Sequence, residues 1–552
     1  MAGKKFSLIE VILSVICVVF TIEAAAPASA MGNVQFFWWI FLIITFLLPY
    51  GLVVAELGTA FDSEGGLYDW VRLGLGDRWG ARCSWCYWVN FPLWVASIAC
   101  MFPSVINAVW GIEFSLGIRI AIEIAFVWGV TVMAMQPVAE ADWVMDGGAV
   151  IKVLITAVVG IVGIWFACNN GFANDMSFKT FIPDLGDTNS LTYLSIILFN
   201  FMGFEVVATF ASTMKNPSRD IPKAVIAGGV AIAAIYIICG IGIGAAVPTE
   251  QLSLDSGIVD AVAAMVGRTH SLTMVVGVAF LVTLFANMIC WSFGVNNVAS
   301  YAARHGNMPR PFALVSKKTG MPNGSALING CFASLVLLLQ IPLGEGSDVF
   351  WVFFSMNVVF LLMSYIPMFP AFWRLRKHDN RSRVFRAPFE GKVPAAALAI
   401  PVVELVLSIV ATIVPLNSSP AEMAKLPILA GVVIGLLLGE VSRLISRRGR
   451  SVDNPGVGAR ESGFFAPKQQ APRVAQRLLC LGLLLAVLGI RSELRRKVGN
   501  VAQVGAAVRT RLNGAGDIVV GHGRTESGDG LGGGRDEHLE RSDRCHGISF
   551  HR

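Results

Sequence analysis

Apolar residues along this chain occur in long uninterrupted runs, with no period-2 alternation. A helix needs about 20 apolar residues to cross hydrocarbon. Runs of that order lie near residues 7–31, 36–60, 83–108, 116–135, 147–168, 191–213, 223–247, 272–303, 326–343, 347–374, 393–414 and 423–445. The pattern predicts an all-α integral membrane protein with twelve transmembrane helices over residues 1–450. Beyond residue 450 the pattern ends. Residues 451–552 are rich in Gly and Arg, and RLLCLGLLLAVLGI is too short to span. This segment reads as a disordered cytoplasmic tail, and no function is assigned to it.

Composition agrees with the pattern. Hydrophobic residues are 55% of the chain, charged residues 14%, and mean hydropathy is +0.65. A soluble domain is about a quarter charged. The net charge of +6 is not a nucleic-acid signal, because the basic residues segregate by loop. Arg72, Arg78, Arg82, Lys215, Arg219, Lys223, Arg304, Arg310, Lys317, Lys318, Arg374 and Arg376 fall in alternate connections, predicted to be cytoplasmic. Both termini are therefore expected inside a bacterial-type inner membrane. The acidic connection QPVAEADWVMD runs against that trend.

Two local patterns are set aside. Lys4, Lys5 and the Ala28-Ser29-Ala30 stretch imitate a secretory signal, but Glu10 and Glu23 interrupt its apolar region. It is read as a retained first span. Cys83-Ser-Trp-Cys86 lacks the βαβ context of a redox motif. The histidines form no HExxH-like pair, so no metal and no cofactor is expected.

Two spans carry polar breaks. The first reads VVFTIEAAAPASAMG, with Thr21, Glu23 and Pro27; the sixth reads FNFMGFEVV, with Asn200, Gly203 and Glu205. An ionisable group at mid-membrane depth costs about 2.5–3.5 kcal/mol even on the mild insertion scale, so it faces a cavity and has a function by default. Helix breaks at that depth must be lined by protein, and a matched pair of them points to a transporter site. Freed N–H groups and helix-end dipoles suit a carboxylate and an ammonium at fixed separation. An α-amino acid carries both groups and is the ligand such a site prefers.

Four stretches then carry a family resemblance: PYGLVVAELGTAFDSEGGLYDWVRLGLGDRWG, FNFMGFEVVATFASTMKNPSRDIPKAV, WSFGVNNVASYAARHGNMPRPFALVSKKTGMPNGSA and SRVFRAPFEGKVP. Their order and spacing resemble the amino acid–polyamine–organocation permeases, with flanking patterns similar to the glutamate/γ-aminobutyrate antiporter branch. The resemblance implies a leucine-transporter-type fold, with five helices, an inverted repeat of five, and two more. It implies substrate contacts at Thr21, Ile22, Glu23, Ala24 and Ala25 in the first break. In the second break it implies Phe199, Asn200, Phe201, Met202 and Gly203. Trp291 corresponds to a pocket tryptophan, and Asn90 and Phe91 to pocket-lining positions. Glu205, Lys152 and Glu23 are implied in coupling or gating.

One departure bears on the substrate. The family's first break is glycine-rich; here it is TIEAAAPAS. Glycines let backbone amides approach a carboxylate. Replacing them while adding Glu23 shifts the expectation toward amino groups, including amines or cationic amino acids. Lys152 falls where some relatives place a lysine in the space of a sodium ion, which favours exchange or proton coupling. Alternatively, its long stem could snorkel to the interface.

The chain is thus expected to be a secondary transporter working by alternating access, not an enzyme. Its partners would be a small-molecule substrate and the bilayer, with a homodimer left open and no nucleic acid. A sodium symporter of the same fold and an amino acid-binding receptor without transport are the rival readings.

Overall fold

The computed structural model describes residues 8–61, 63, 65–184, 193–205, 216–343, 349–381, 383–389 and 392–453. All lie in one compact unit, Met1–Gly456. The tail assigned from sequence falls outside the described residues, as does the second half of the sixth span beyond Glu205.

Among the described residues every regular element is helical. The first span is two pieces, α1 (Leu8–Val19) and α2 (Ala25–Ser29), joined through a 3₁₀ turn at Ile22–Ala24. Then follow α3 (Val34–Ala60), α4 (Asp77–Trp110), α5 (Leu116–Ala134) and α6 (Gly147–Asn170). The sixth span contributes α7 (Leu194–Phe199). The rest are α8 (Pro217–Ala246), α9 (Ser271–Arg304), α10 (Asn323–Leu338), α11 (Val349–His378), α12 (Lys392–Ile413) and α13 (Leu426–Asp453).

Nine described helices are long and apolar enough to cross a bilayer unaided. The other three predicted spans are the two broken ones and α12, whose apolar part, Ala397–Ile413, is just short. Twelve crossings result. The second break comes five spans after the first, the interval a five-helix repeat requires.

Their outer faces are apolar. Ile44, Ile161, Trp165, Leu407 and Leu437 stand exposed, as lipid-facing side chains must. The interior is made by close approach where residues are small. A Cβ on Gly163 of α6 would lie 2.4 Å from the Gly242 Cα of α8. Small residues at such crossings let membrane helices touch backbone to backbone.

The acidic connection between α5 and α6 has a simple backbone account. After Pro137 the chain is helical from Val138, so the segment continues α6 in the N-terminal direction and forms no separate loop. Acidic groups favour a helix N-terminus, which competes with the charge rule for loops. Two further helices lie outside the spans, Gly66–Leu75 and Gly257–Val266. The first carries the sequence after α3 that contributed to the resemblance.

Candidate functional site

The first break starts at Thr21, whose backbone is extended (φ −105°, ψ 90°). Helical bonding resumes only after it, and Pro27 has no N–H to return to the Glu23 carbonyl. The carbonyls this frees are taken by side chains from three other helices. Trp291 Nε1 of α9 donates to Val18 O at 2.6 Å. Lys152 Nζ of α6 donates to Phe20 O at 2.7 Å, and the Tyr236 hydroxyl of α8 to Thr21 O at 2.7 Å. Thr21 N returns a bond to Tyr236 at 3.0 Å. Buried backbone groups need partners, and side chains supply them for the carbonyls of Val18, Phe20 and Thr21.

The second break turns on Gly203, at φ 108°. A side chain there is strained on the backbone alone. It is also crowded, since a Cβ would lie 2.9 Å from Cζ2 of Trp291. Asn200, Phe201 and Met202 N–H groups bond within the last turn of α7, and Gly203 N donates to the Tyr365 hydroxyl at 3.2 Å. The two breaks touch. Thr21 Oγ1 donates to Asn200 Oδ1 at 2.7 Å.

Each break holds a buried acid. Glu205 accepts from the Tyr87 hydroxyl on Oε1 and from Tyr50 on Oε2, both at 2.9 Å, with Tyr365 adding a third contact. Glu23 is fully buried. Its Oε1 accepts from Asn287 Nδ2 at 2.7 Å, and its Oε2 has no hydrogen-bond partner among the described residues. The indole of Trp94, whose Nε1 also lacks a partner within bonding distance, faces the same carboxylate.

Lys152 is fully buried, and its head reaches the first break and not the membrane surface, also donating to Asn287 Oδ1 at 2.6 Å. The snorkelling alternative does not describe it. Aromatic rings wall the junction. Trp94 packs edge-on against Phe199 at 5.1 Å and Trp291 at 5.0 Å, and Phe199 against Phe354 at 5.7 Å. Phe201 turns to Trp39 at 5.2 Å.

The expected residues thus divide. Thr21, Glu23, Asn200, Gly203, Trp291, Lys152 and Glu205 share one connected network; Phe199 joins it through Trp94. Ile22, Ala24, Ala25 and Met202 are buried at the breaks. Asn90 turns its amide N–H onto Tyr87 O of its own helix. Phe91 lines a separate cavity of about 10 Å³ with Thr131, Asn296 and Asn329. It is not brought to the breaks.

Sequence reading missed Trp94, Tyr236, Asn287 and the tyrosines around Glu205. A signal existed. Of the chain's seven tyrosines all but Tyr68 lie inside predicted spans, Tyr50, Tyr87, Tyr236 and Tyr365 among them. A hydroxyl at that depth needs a polar partner.

The amino acid permease family model matches residues 6–437. The chain belongs to that family. As a permease it is a multi-pass secondary transporter, not an enzyme. It is 45% identical over 441 residues to a probable agmatine/putrescine antiporter of Lactococcus lactis subsp. lactis, covering 79% of this chain and 94% of the relative. A glutamate/γ-aminobutyrate antiporter of the same organism is 24% identical, covering 70% and 79%. A probable polyamine transporter of Arabidopsis thaliana is 26% identical, covering 77% and 80%.

Proposed function

We propose that this permease exchanges small amines, of the diamine and guanidino-amine class, by alternating access around its two helix breaks. The observation that carries the reading is Glu23. It is a fully buried acid with one oxygen lacking a hydrogen-bond partner among the described residues, at a break where glycines would serve a carboxylate. An anion buried in that way is costly until a cation meets it. An ammonium supplies both the charge and the donors. The 45% identical relative named for agmatine and putrescine supports the same class.

In this reading Thr21, Ile22, Ala24 and Ala25 line the ammonium end with Glu23. Phe199, Asn200, Phe201, Met202, Gly203 and Trp291 line the facing side, where a ring face attracts a desolvated cation by about 1–2 kcal/mol. Glu205 ties the second break to α3, α4 and α11 and releases it as the protein changes state. Lys152 occupies the first break with a fixed cation, which supports coupling without sodium. The protein sits in the inner membrane with both termini cytoplasmic, as the basic residues around Arg72, Arg304 and Arg374 favour. A homodimer is compatible with this arrangement.

Counterflow in proteoliposomes against labelled putrescine, agmatine, γ-aminobutyrate and glutamate tests it. Amine exchange that survives replacement of sodium by choline is expected, and Glu23→Gln should reduce it about 100-fold or more. Exchange confined to zwitterionic amino acids, or full amine exchange by Glu23→Gln, overturns the reading.

A further inference from the structure

Between Lys152 and Glu23 lies a residue to which the exchange reading gives no role. Asn287 sits at mid-length on α9 and is fully buried. Its Oδ1 accepts from Lys152 Nζ at 2.6 Å, and its Nδ2 donates to Glu23 Oε1 at 2.7 Å. An ammonium only donates and a carboxylate only accepts, so this amide can sit in one orientation. Reversed, it would set N–H₂ against the ammonium and C=O against the carboxylate. Lys152 is held in turn by Phe20 O, one residue before the extended Thr21. The chain of contacts runs from α6, across α9, and back to the first break.

We propose that Asn287 is the positioning residue of the ammonium site. By occupying Glu23 Oε1 it fixes the carboxylate rotamer and leaves Oε2 as the acceptor that substrate meets. The inference rests on the reading of Glu23 as the ammonium acceptor. It has a structural reason. Glu23 stands in a three-residue 3₁₀ turn, Ile22–Ala24, outside the regular helices α1 and α2 that flank it. A neutral amide on a continuous 34-residue helix supplies that hold. It does so without adding charge, so the acid keeps its attraction for a cation. A lysine at position 287 would neutralise Glu23, and an aspartate would repel it.

The test uses the full chain in proteoliposomes and putrescine counterflow, comparing wild type, Asn287→Leu and Asn287→Asp. Asn287→Leu keeps the branched shape and removes both bonds. Asn287→Asp keeps the acceptor for Lys152 and removes the donor to Glu23. Loss of a charge-assisted hydrogen bond predicts that KM for putrescine rises roughly tenfold or more in both variants, with a smaller fall in kcat. Protein whose KM is unchanged while its maximal rate falls would show a role in folding alone and overturn the proposal. If Asn287→Leu does not reach the membrane, Asn287→Asp decides, read as the putrescine-induced shift in its melting temperature. A shift equal to that of wild type overturns the proposal. Wild type that does not bind putrescine removes the ammonium reading and this role with it. Wild type that binds, with both variants binding equally well, removes this role alone.

Discussion

The two helix breaks carry the same kind of residue at the same kind of depth, yet they treat it differently. Glu205, at the second break, has both oxygens taken by tyrosine hydroxyls from α3 and α4, and Tyr365 of α11 joins them. Glu23, at the first break, has Oε1 held by an amide, while Oε2 has no hydrogen-bond partner among the described residues and the Trp94 indole faces the carboxylate. A buried acid whose acceptors are filled by the protein is a fastening between helices. One with an acceptor left over is where we propose that the ligand binds. The backbones differ in the same sense. The first break is stitched through its freed carbonyls by Trp291, Lys152 and Tyr236, while the second turns on one glycine conformation. Donor count, and not residue type or depth, separates the two acids.

The comparison breaks most visibly at Glu205. Glu205→Ala leaves three buried hydroxyls short of an acceptor, at about 1–3 kcal/mol for each group left unsatisfied. Exchange in proteoliposomes should be abolished while the variant still reaches the membrane in folded form. Wild-type exchange would mean that the second acid fastens nothing that matters. Next comes Gly203→Ala. The positive φ costs about 1–2 kcal/mol for an L-residue, and the new Cβ meets the Trp291 ring at 2.9 Å. Counterflow should fall about 10- to 100-fold, because Trp291 also holds Val18 O at the first break. A Gly203→Ala protein with normal rates would show that the turn at the second break is not fixed by that backbone conformation.

Much of this was legible in the chain and some was not, for identifiable reasons. Period and length place the spans, because lipid leaves the backbone no alternative to helix. The breaks at Thr21 and Gly203 are equally legible, since Pro27, Gly203 and the two acids interrupt apolar runs. Partners are another matter. Asn287 and Glu23 are 264 residues apart, and nothing local to either announces the contact. Asn90 and Phe91 show a second limit. Neighbouring residues on a helix point about 100° apart, so they do not share one face. Phe91 accordingly lines the cavity toward Thr131 and Asn329. The division of labour between Glu23 and Glu205 was illegible for the same reason as Asn287. It depends on how many hydroxyls distant helices deliver.

The smallest expected effect sharpens the contrast where the two breaks meet. Thr21 Oγ1 donates to Asn200 Oδ1 at 2.7 Å and also lies 3.1 Å from the Tyr236 hydroxyl. Thr21→Val keeps the shape and removes the hydroxyl. Tyr236 still donates to Thr21 O, so the backbone of the first break stays satisfied. What is lost is the tie between breaks, a neutral hydrogen bond worth about 1 kcal/mol. Asn200 already has an Nδ2 without a hydrogen-bond partner among the described residues, and its Oδ1 would then lose the Thr21 donor as well. If the two half-helices move as one unit around substrate, Thr21→Val should slow exchange about three- to tenfold with little change in melting temperature. If they move independently, the rate should hold and only stability should fall, by a few degrees or less. The pair of measurements separates a shared hinge from two adjacent ones.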